Sequence, residues 1–238
     1  MRILVTNDDS VSAAQLLPLI RWCQKLGTVT TVVPRYEQSG KSHSIELHKS
    51  FTVEQMELAP DVTVHTVDSS PADCVRYAVL GLGMEFDLVI SGINRGFNIG
   101  TDVMYSGTVA AIFEAALLGI PAIAFSTSPG YYDQAIHHLD EIYDYIRTHR
   151  LMDIHNTYNI NIPPAGKQIL ITRQGGPYYS DDFIIQDNQC TPNGKCVYVP
   201  TDDLSLDTNA VMGGHISITP LTVVRTDLEI FRQLSEGN

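Results

Sequence analysis

Four short apolar runs, separated by stretches with helical spacing, constrain this chain more than any other feature. They read "ILVTN" from Ile3, "TVTTVVP" over 28–34, "DLVIS" over 87–91 and "PAIAFS" from Pro121. Runs that are apolar throughout, rather than alternating, belong to strands buried on both faces, as in a parallel sheet. The connecting segments must then cover both faces with helices. The expected fold class is therefore α/β, with a doubly wound, mostly parallel sheet. A length of 238 residues fits one substantial domain, and a hydrophobic fraction of 44% supplies an ordinary core.

Local signals place the elements. A helix is expected from about Ala13 to Leu26, with Pro18 near its first turn and Gly27 as its cap. Alternation around 45–53 and 62–67 reads as an antiparallel ribbon. In "SSPADCVRYAVLGL" Ser70 is the expected N-cap, Pro71 the first helical residue and Asp73 a first-turn acid. "GTVAAIFEAALLG" is a nearly all-apolar helix closed by Gly119. From about residue 131 the texture changes. An amphipathic helix, "YYDQAIHHLDEIYDYIRTHR", precedes short strands at "YNINI" (158–162), "QILIT" (168–172), "CVYVP" (196–200) and "HISITP" (215–220), then a last helix, "TDLEIFRQL". Residues 173–195 read as a hairpin or extended arm, of a kind that packs on a neighbouring subunit.

Bulk properties exclude several classes. A net charge of -12 argues against a nucleic-acid duplex as partner, although a small phosphorylated substrate needs only one cation and a few amides. No apolar stretch approaches the ~20 residues of a membrane span, and the start lacks a secretory pattern, so a cytoplasmic protein is expected. Cys23, Cys74, Cys190 and Cys196 do not make a disulfide scaffold, and no CxxC or HxxxH spacing suggests zinc.

The candidate chemistry lies in the loops that leave the carboxyl ends of the strands, where open parallel sheets bind ligands. Asp8 and Asp9 close the first strand, and adjacent like charges cost energy unless they splay into water or share a cation. The second strand leads to Ser39 and the third to Asn94. Two carboxylates, a hydroxyl and an amide oxygen form a hard-donor set, suited to one Mg²⁺, Mn²⁺ or Ca²⁺. The third loop continues through "YSGT" into the apolar helix, so Ser106, Gly107 and Thr108 offer amides and hydroxyls to a phosphate. Metal-assisted phosphate ester hydrolysis follows, with Asp8 and Asp9 as catalytic groups that either handle the water proton or attack directly.

Each residue also has a plainer reading. "NDD" makes a turn and cap, Ser39 an ordinary loop, and the glycines a loop with no phosphate fingerprint. His43 reads as a solvated loop histidine, and His137 and His138 as part of a solvated helix face. Tyr131, Tyr132, Tyr178 and Tyr179 read as packing or interface residues, and Arg95 as either a substrate contact or an acid's partner. The functional case rests on the convergence of three loops.

The stretches "ILVTNDDS", "PRYEQSGKSHSI", "SSPADCV", "DLVISGINRGFNIGTDVMYSGTVAAIFEAALLGIPAIAFS", "NINIP" and "GGHISITPL" resemble the SurE family of survival-protein nucleotidases. The resemblance implies a Rossmann-like domain over residues 1–238, with elements near 173–195 and 222–238 exchanged between subunits of a homodimer or homotetramer. It implies a divalent-metal-dependent phosphatase of nucleoside 5′-monophosphates, with 3′-monophosphates and short polyphosphate as further substrates. It puts the metal ligands at Asp8, Asp9, Ser39 and Asn94, and the phosphate and substrate contacts at Asn94, Ser106, Gly107 and Thr108. Ser10 stands where the family usually has Gly, and "SVSAAQL" lacks the family's second glycine. The rival from another class is a receiver-like Mg²⁺-binding signalling module. Such a module needs an Asp at the end of its third strand, where this chain reads "VISGIN".

Overall fold

The first strand, β1 (Arg2–Thr6), shows how the sheet is buried: Ile3 and Val5 enter one apolar cluster and Leu4 the other, on opposite faces. In the computed structural model, which describes residues 1–236, β1 is followed by α1 (Leu16–Gln24), β2 (Thr28–Pro34), β3 (Val53–Ala59), β4 (Val62–Val67) and α2 (Pro71–Arg76). Next come β5 (Leu88–Arg95), α3 (Gly107–Leu117), β6 (Ala122–Thr127), α4 (Tyr132–Thr148), α5 (Leu151–Ile154), β7 (Thr157–Ile162) and β8 (Ile169–Ile171). The strands β9 (Tyr179–Ser180), β10 (Phe183–Gln186), β11 (Gln189–Pro192) and β12 (Lys195–Cys196) form the arm, and α6 (Asp207–Met212), β13 (Ile216–Pro220) and α7 (Leu228–Glu236) end the chain.

Nine strands form one sheet in the order β3-β4-β2-β1-β5-β6-β7-β13-β8. From β4 through β7 every neighbour pair is parallel, and the strand order reverses between β1 and β5. That reversal opens a crevice at the carboxyl edge, where the acidic pair, Ser39 and Asn94 were expected. Helices α1 and α4 cover one face, joined where Trp22 meets Phe125 and Tyr143 edge-on at 6.1 and 5.9 Å and donates to Asp140 at 2.7 Å. Helices α2 and α3 cover the other face through Val75, Val109, Ile112 and Ala115, all fully buried. Each buried aliphatic side chain contributes about 1.5–3 kcal/mol relative to exposure, which is ample to hold both layers. Among the described residues no helix is long and apolar enough to cross a membrane.

Ser70 caps α2 by accepting from Asp73 N at 3.1 Å, Pro71 follows it, and Gly119 has φ +75° just beyond α3, as their positions in the sequence suggest. Elsewhere the chain departs from expectation. Helix α1 is shorter than 13–26, and Gly27 is not its left-handed cap: a Cβ there would lie 1.9 Å from the Met1 carbonyl oxygen. Close approach to the neighbouring strand accounts for that glycine. The ribbon pairs 53–59, not 45–53, with β4. Residues 46–49 instead make a turn, in which the Glu46 carboxylate accepts from His48 N and Lys49 N at 2.8 and 3.0 Å.

Of "CVYVP" only Cys196 lies in a strand, because Tyr198 turns inward to stack on Tyr178 and to donate to Asn209 at 2.8 Å. Helix α6 was not foreseen in "LDTNAVM", whose Asp, Thr and Asn are poor helix formers. Over 173–195 the chain makes a two-tier antiparallel hairpin, β9 with β12 and β10 with β11, turning at Asp187 with φ +51°. Of the expected 222–238 element, α7 is helical and residues 237–238 lie outside the described residues.

Candidate active site

The loop after β1 separates its two carboxylates. Asn7 donates through Nδ2 to the Ser10 carbonyl at 2.8 Å, and Ser10 adopts φ +76°. That left-handed turn is the conformation for which glycine is the usual residue, and Ser10 meets it while its hydroxyl bonds that of Ser12 at 2.9 Å. Asp8 turns inward, only 3% exposed, where the Thr108 hydroxyl donates to its Oδ1 and the Thr108 backbone N–H adds a second bond. Asp9 turns the other way and accepts at Oδ2 from Gln15 Nε2 at 2.8 Å and from Arg95 N at 2.9 Å.

Both carboxyls are pushed above their ordinary range. Asp8 rises to about 6, chiefly through burial, with the Asp9 charge adding to it and the Thr108 bonds opposing it. Asp9 is raised by burial and by the Glu37 charge, against the Arg95 amide and guanidinium. A buried carboxylate beside a second one, with a guanidinium reaching only the second, is an arrangement that a bound cation would relieve.

The other expected oxygens gather nearby. Gln38 N donates to the Asp8 carbonyl at 2.8 Å, which ties the Ser39 loop to the acidic loop. Ser39 donates to Glu37 Oε1 at 2.7 Å, and the same oxygen accepts from Arg95 at 3.1 Å. Arg95 therefore pairs with an acid and lines the cavity as well. Asn94 donates Nδ2 to the Gly96 carbonyl at 2.9 Å, and among the described residues its amide oxygen has no donor. Asp8, Ser39, Asn94 and Ser106 line a single cavity of about 580 Å³. Asp9 lines an adjoining cavity of about 260 Å³ with Glu37, Arg95 and Tyr132.

Ser106 caps α3 by accepting from Val109 N at 3.1 Å, which leaves its hydroxyl proton free for a ligand. Gly107 must be glycine, because a Cβ there would sit 2.9 Å from Asp8 Cβ, 3.0 Å from Asp8 Oδ2 and 3.2 Å from Pro71. Thr108 is fully buried, and the structure gives both its donors to Asp8. The site as a whole thus brings Asp8, Ser39, Asn94, Ser106 and Gly107 together, puts Asp9 behind them and leaves Thr108 beneath.

Several contributors escaped the sequence. His43 is not a solvated loop residue; it is hydrogen-bonded to the buried Glu114 of α3 at 2.8 Å, and this pins the Ser39 loop to the helix. Tyr178 and Tyr179 line the 580 Å³ cavity along with Asn98, Asp102 and Tyr105. Only the return of the arm over the sheet edge puts them there, and no local pattern signals it.

The donor set fits a hard divalent ion: carboxylate oxygens from Asp8 and Asp9, a free amide oxygen on Asn94 and the Ser39 hydroxyl. The side-chain amide oxygen of Asn7, Oδ1, is buried next to Asp8 in the chain and also has no partner among the described residues.

A family model described as Survival protein SurE matches residues 3–181, three quarters of the chain. The chain belongs to the SurE family. Proteins named 5′-nucleotidase SurE from Thermosipho africanus and Geotalea uraniireducens are 36% and 37% identical to it, covering 99% and 93% of this chain and 97% and 92% of their own lengths. The crystal structure of the SurE protein from Aquifex aeolicus superposes with a TM-score of 0.78 at 28% identity, covering 99% of each chain. The SurE matches span β1, β2 and β5, whose tips carry Asp8, Asp9, Ser39 and Asn94, and so include every loop of the site.

Proposed function

We propose that this protein is a divalent-metal-dependent 5′-nucleotidase that hydrolyses nucleoside 5′-monophosphates to nucleoside and phosphate. The observation that supports this reading is the contact between Asp8 and the first turn of α3, which sets the oxygens proposed for the cation beside the donors proposed for the phosphate. The names of the relatives point to the same activity. Asp8, Asp9, Asn94 and Ser39 would hold the ion, which supplies charge withdrawal from the phosphoryl oxygens and a more acidic water.

The chain's own groups do the rest. Ser106 and the Gly107 amide, at the positive end of α3, stabilise the negative charge that builds on the phosphoryl group. Thr108 orients Asp8 and keeps it from rotating away. Asp9, braced by Gln15 and the Arg95 amide, is placed to accept a proton. The test is phosphate release from a panel of nucleoside 5′- and 3′-monophosphates and short polyphosphate. The reading expects the 5′-monophosphates to rank first, and a panel in which none of them is cleaved would overturn it.

Assembly belongs to the same proposal. Phe183, Ile184 and Ile185 on the arm and Ile230 and Phe231 on α7 are large apolar residues left exposed on a single chain. A homodimer or homotetramer would bury them. Sedimentation of the protein at micromolar concentration is expected to give such an oligomer, and a monomer would contradict it. The four free thiols support a reducing, cytoplasmic setting.

A further inference from the structure

Asp207 lies outside every motif considered so far, yet it is an ionisable side chain with no exposed surface. Its Oδ1 accepts from Gly175 N at 2.8 Å and Thr208 N at 2.7 Å, and its two oxygens accept from Gly100 N at 3.1 and 3.0 Å. Burial raises its carboxyl, and the three amides oppose the rise. The amides come from three segments far apart in sequence: the 3-10 turn Gly100–Tyr105 after β5, the root of the arm, and the start of α6.

Close approach at this junction depends on the glycines. Gly100 has φ +58°, and a Cβ on it would lie 2.0 Å from the Gly176 carbonyl oxygen. A Cβ on Gly175 would lie 2.4 Å from Thr208 Oγ1. The turn and the arm root carry one wall of the 580 Å³ cavity: Asp102 and Tyr105 from the first, Tyr178 and Tyr179 from the second. The two tyrosines of the arm meet edge-on at 4.9 Å, and the Tyr179 N–H bonds the Asp102 carboxylate across the junction. The cavity therefore has an oxygen-donor lining from the strand tips and a tyrosine lining whose two halves are clipped together beneath by Asp207.

We propose that Asp207 is a positioning residue for the nucleoside part of the substrate: through the amides of Gly100, Gly175 and Thr208 it sets the spacing between the Gly100–Tyr105 turn and the arm. It touches neither phosphate nor cation, and the proposal rests on the phosphatase reading of the cavity. Asp207→Asn puts an N–H₂ against an amide N–H and loosens the junction. Gly100→Ala leaves the carboxylate intact and forces the same two segments apart from the other side.

The test compares a nucleoside 5′-monophosphate with para-nitrophenyl phosphate, which has the reacting group but no nucleoside. Both variants are expected to raise KM for the nucleotide about tenfold or more, the lower range of what base stacking on an aromatic ring is worth. The ratio of kcat/KM for nucleotide to that for the aryl phosphate should fall by a similar factor. Equal losses on both substrates, or no change on either, would overturn the proposal, because a merely structural role moves the two together. If Asp207→Asn does not fold, Gly100→Ala decides alone by the same ratio. A wild-type protein that cleaves neither substrate would overturn the phosphatase reading instead, an outcome distinct from equal losses in the variants.

Discussion

Asp8→Asn is expected to cut metal-dependent phosphate release by at least about 10³-fold while making the metal-free protein more stable. The loss follows from removing one of the two charges proposed to hold the ion, since a cation's charge stabilisation of several kcal/mol corresponds to a factor of that order. The gain in stability follows from burial. Asp8 rises to about 6 in the metal-free fold, so at neutral pH its charge costs the fold on the order of 3 kcal/mol relative to the unfolded chain. An asparagine can still accept from Thr108 and carries no charge. Opposite signs in activity and melting temperature separate this outcome from simple unfolding.

The same group sets a pH dependence. Because its pKa is raised on folding, the metal-free protein binds a proton that the unfolded chain releases, and stability from this group falls as pH rises from about 4 through about 6. A cation must displace that proton. Mn²⁺ stabilisation, followed by thermal melting, is expected to weaken below about pH 6, with affinity falling about tenfold per pH unit, and to level off above it. A flat profile between about pH 5 and pH 7 would contradict Asp8 as a ligand.

Gly107→Ala is the second large effect. The added methyl would meet Asp8 Cβ, Asp8 Oδ2 and Pro71 Cγ at 2.9, 3.0 and 3.2 Å. None of the three yields easily: Asp8 is held by Thr108, and Pro71 is a ring at the start of α2. Overpacking of this kind costs about 1–3 kcal/mol. Displacing Asp8 by about 1 Å would cost kcat up to about a hundredfold. The melting temperature and kcat are expected to fall together, and an alanine variant with wild-type kcat would show that the start of α3 does not pack against the reacting groups.

The parts of this fold that were legible in the sequence are those with local causes. Strand β2 begins and ends where "TVTTVVP" does, and Ser70 and Gly119 cap their helices as their types suggest. The placing of the Asp8-Asp9, Ser39 and Asn94 loops at one edge of the sheet was legible because their oxygen donors stand just past buried strands, which is a consequence of parallel-sheet topology. What escaped was set by tertiary contact. Asp207 looks like any polar residue in "SLDTNAV", and only the fold brings the Gly100 amide of the turn after β5 and the Gly175 amide of the arm root to a carboxylate that already takes the Thr208 amide. Thr108 looks like a phosphate donor at the start of a helix until Asp8 is seen to take both its hydrogens. His43 reads as solvated until Glu114 appears beside it. Glu46 turned an expected strand into a turn by offering its carboxylate to two backbone amides.

The proposed function turns on one divalent cation, held at the oxygens of Asp8, Asp9, Ser39 and Asn94 and shared with a phosphate at the start of α3. Its most direct test is phosphate release from a nucleoside 5′-monophosphate by chelator-stripped protein, before and after adding Mn²⁺ or Mg²⁺. Release that appears only with the metal, and vanishes in Asp8→Asn, is the result this structure predicts. Equal release with and without metal, or none under either condition, would contradict it.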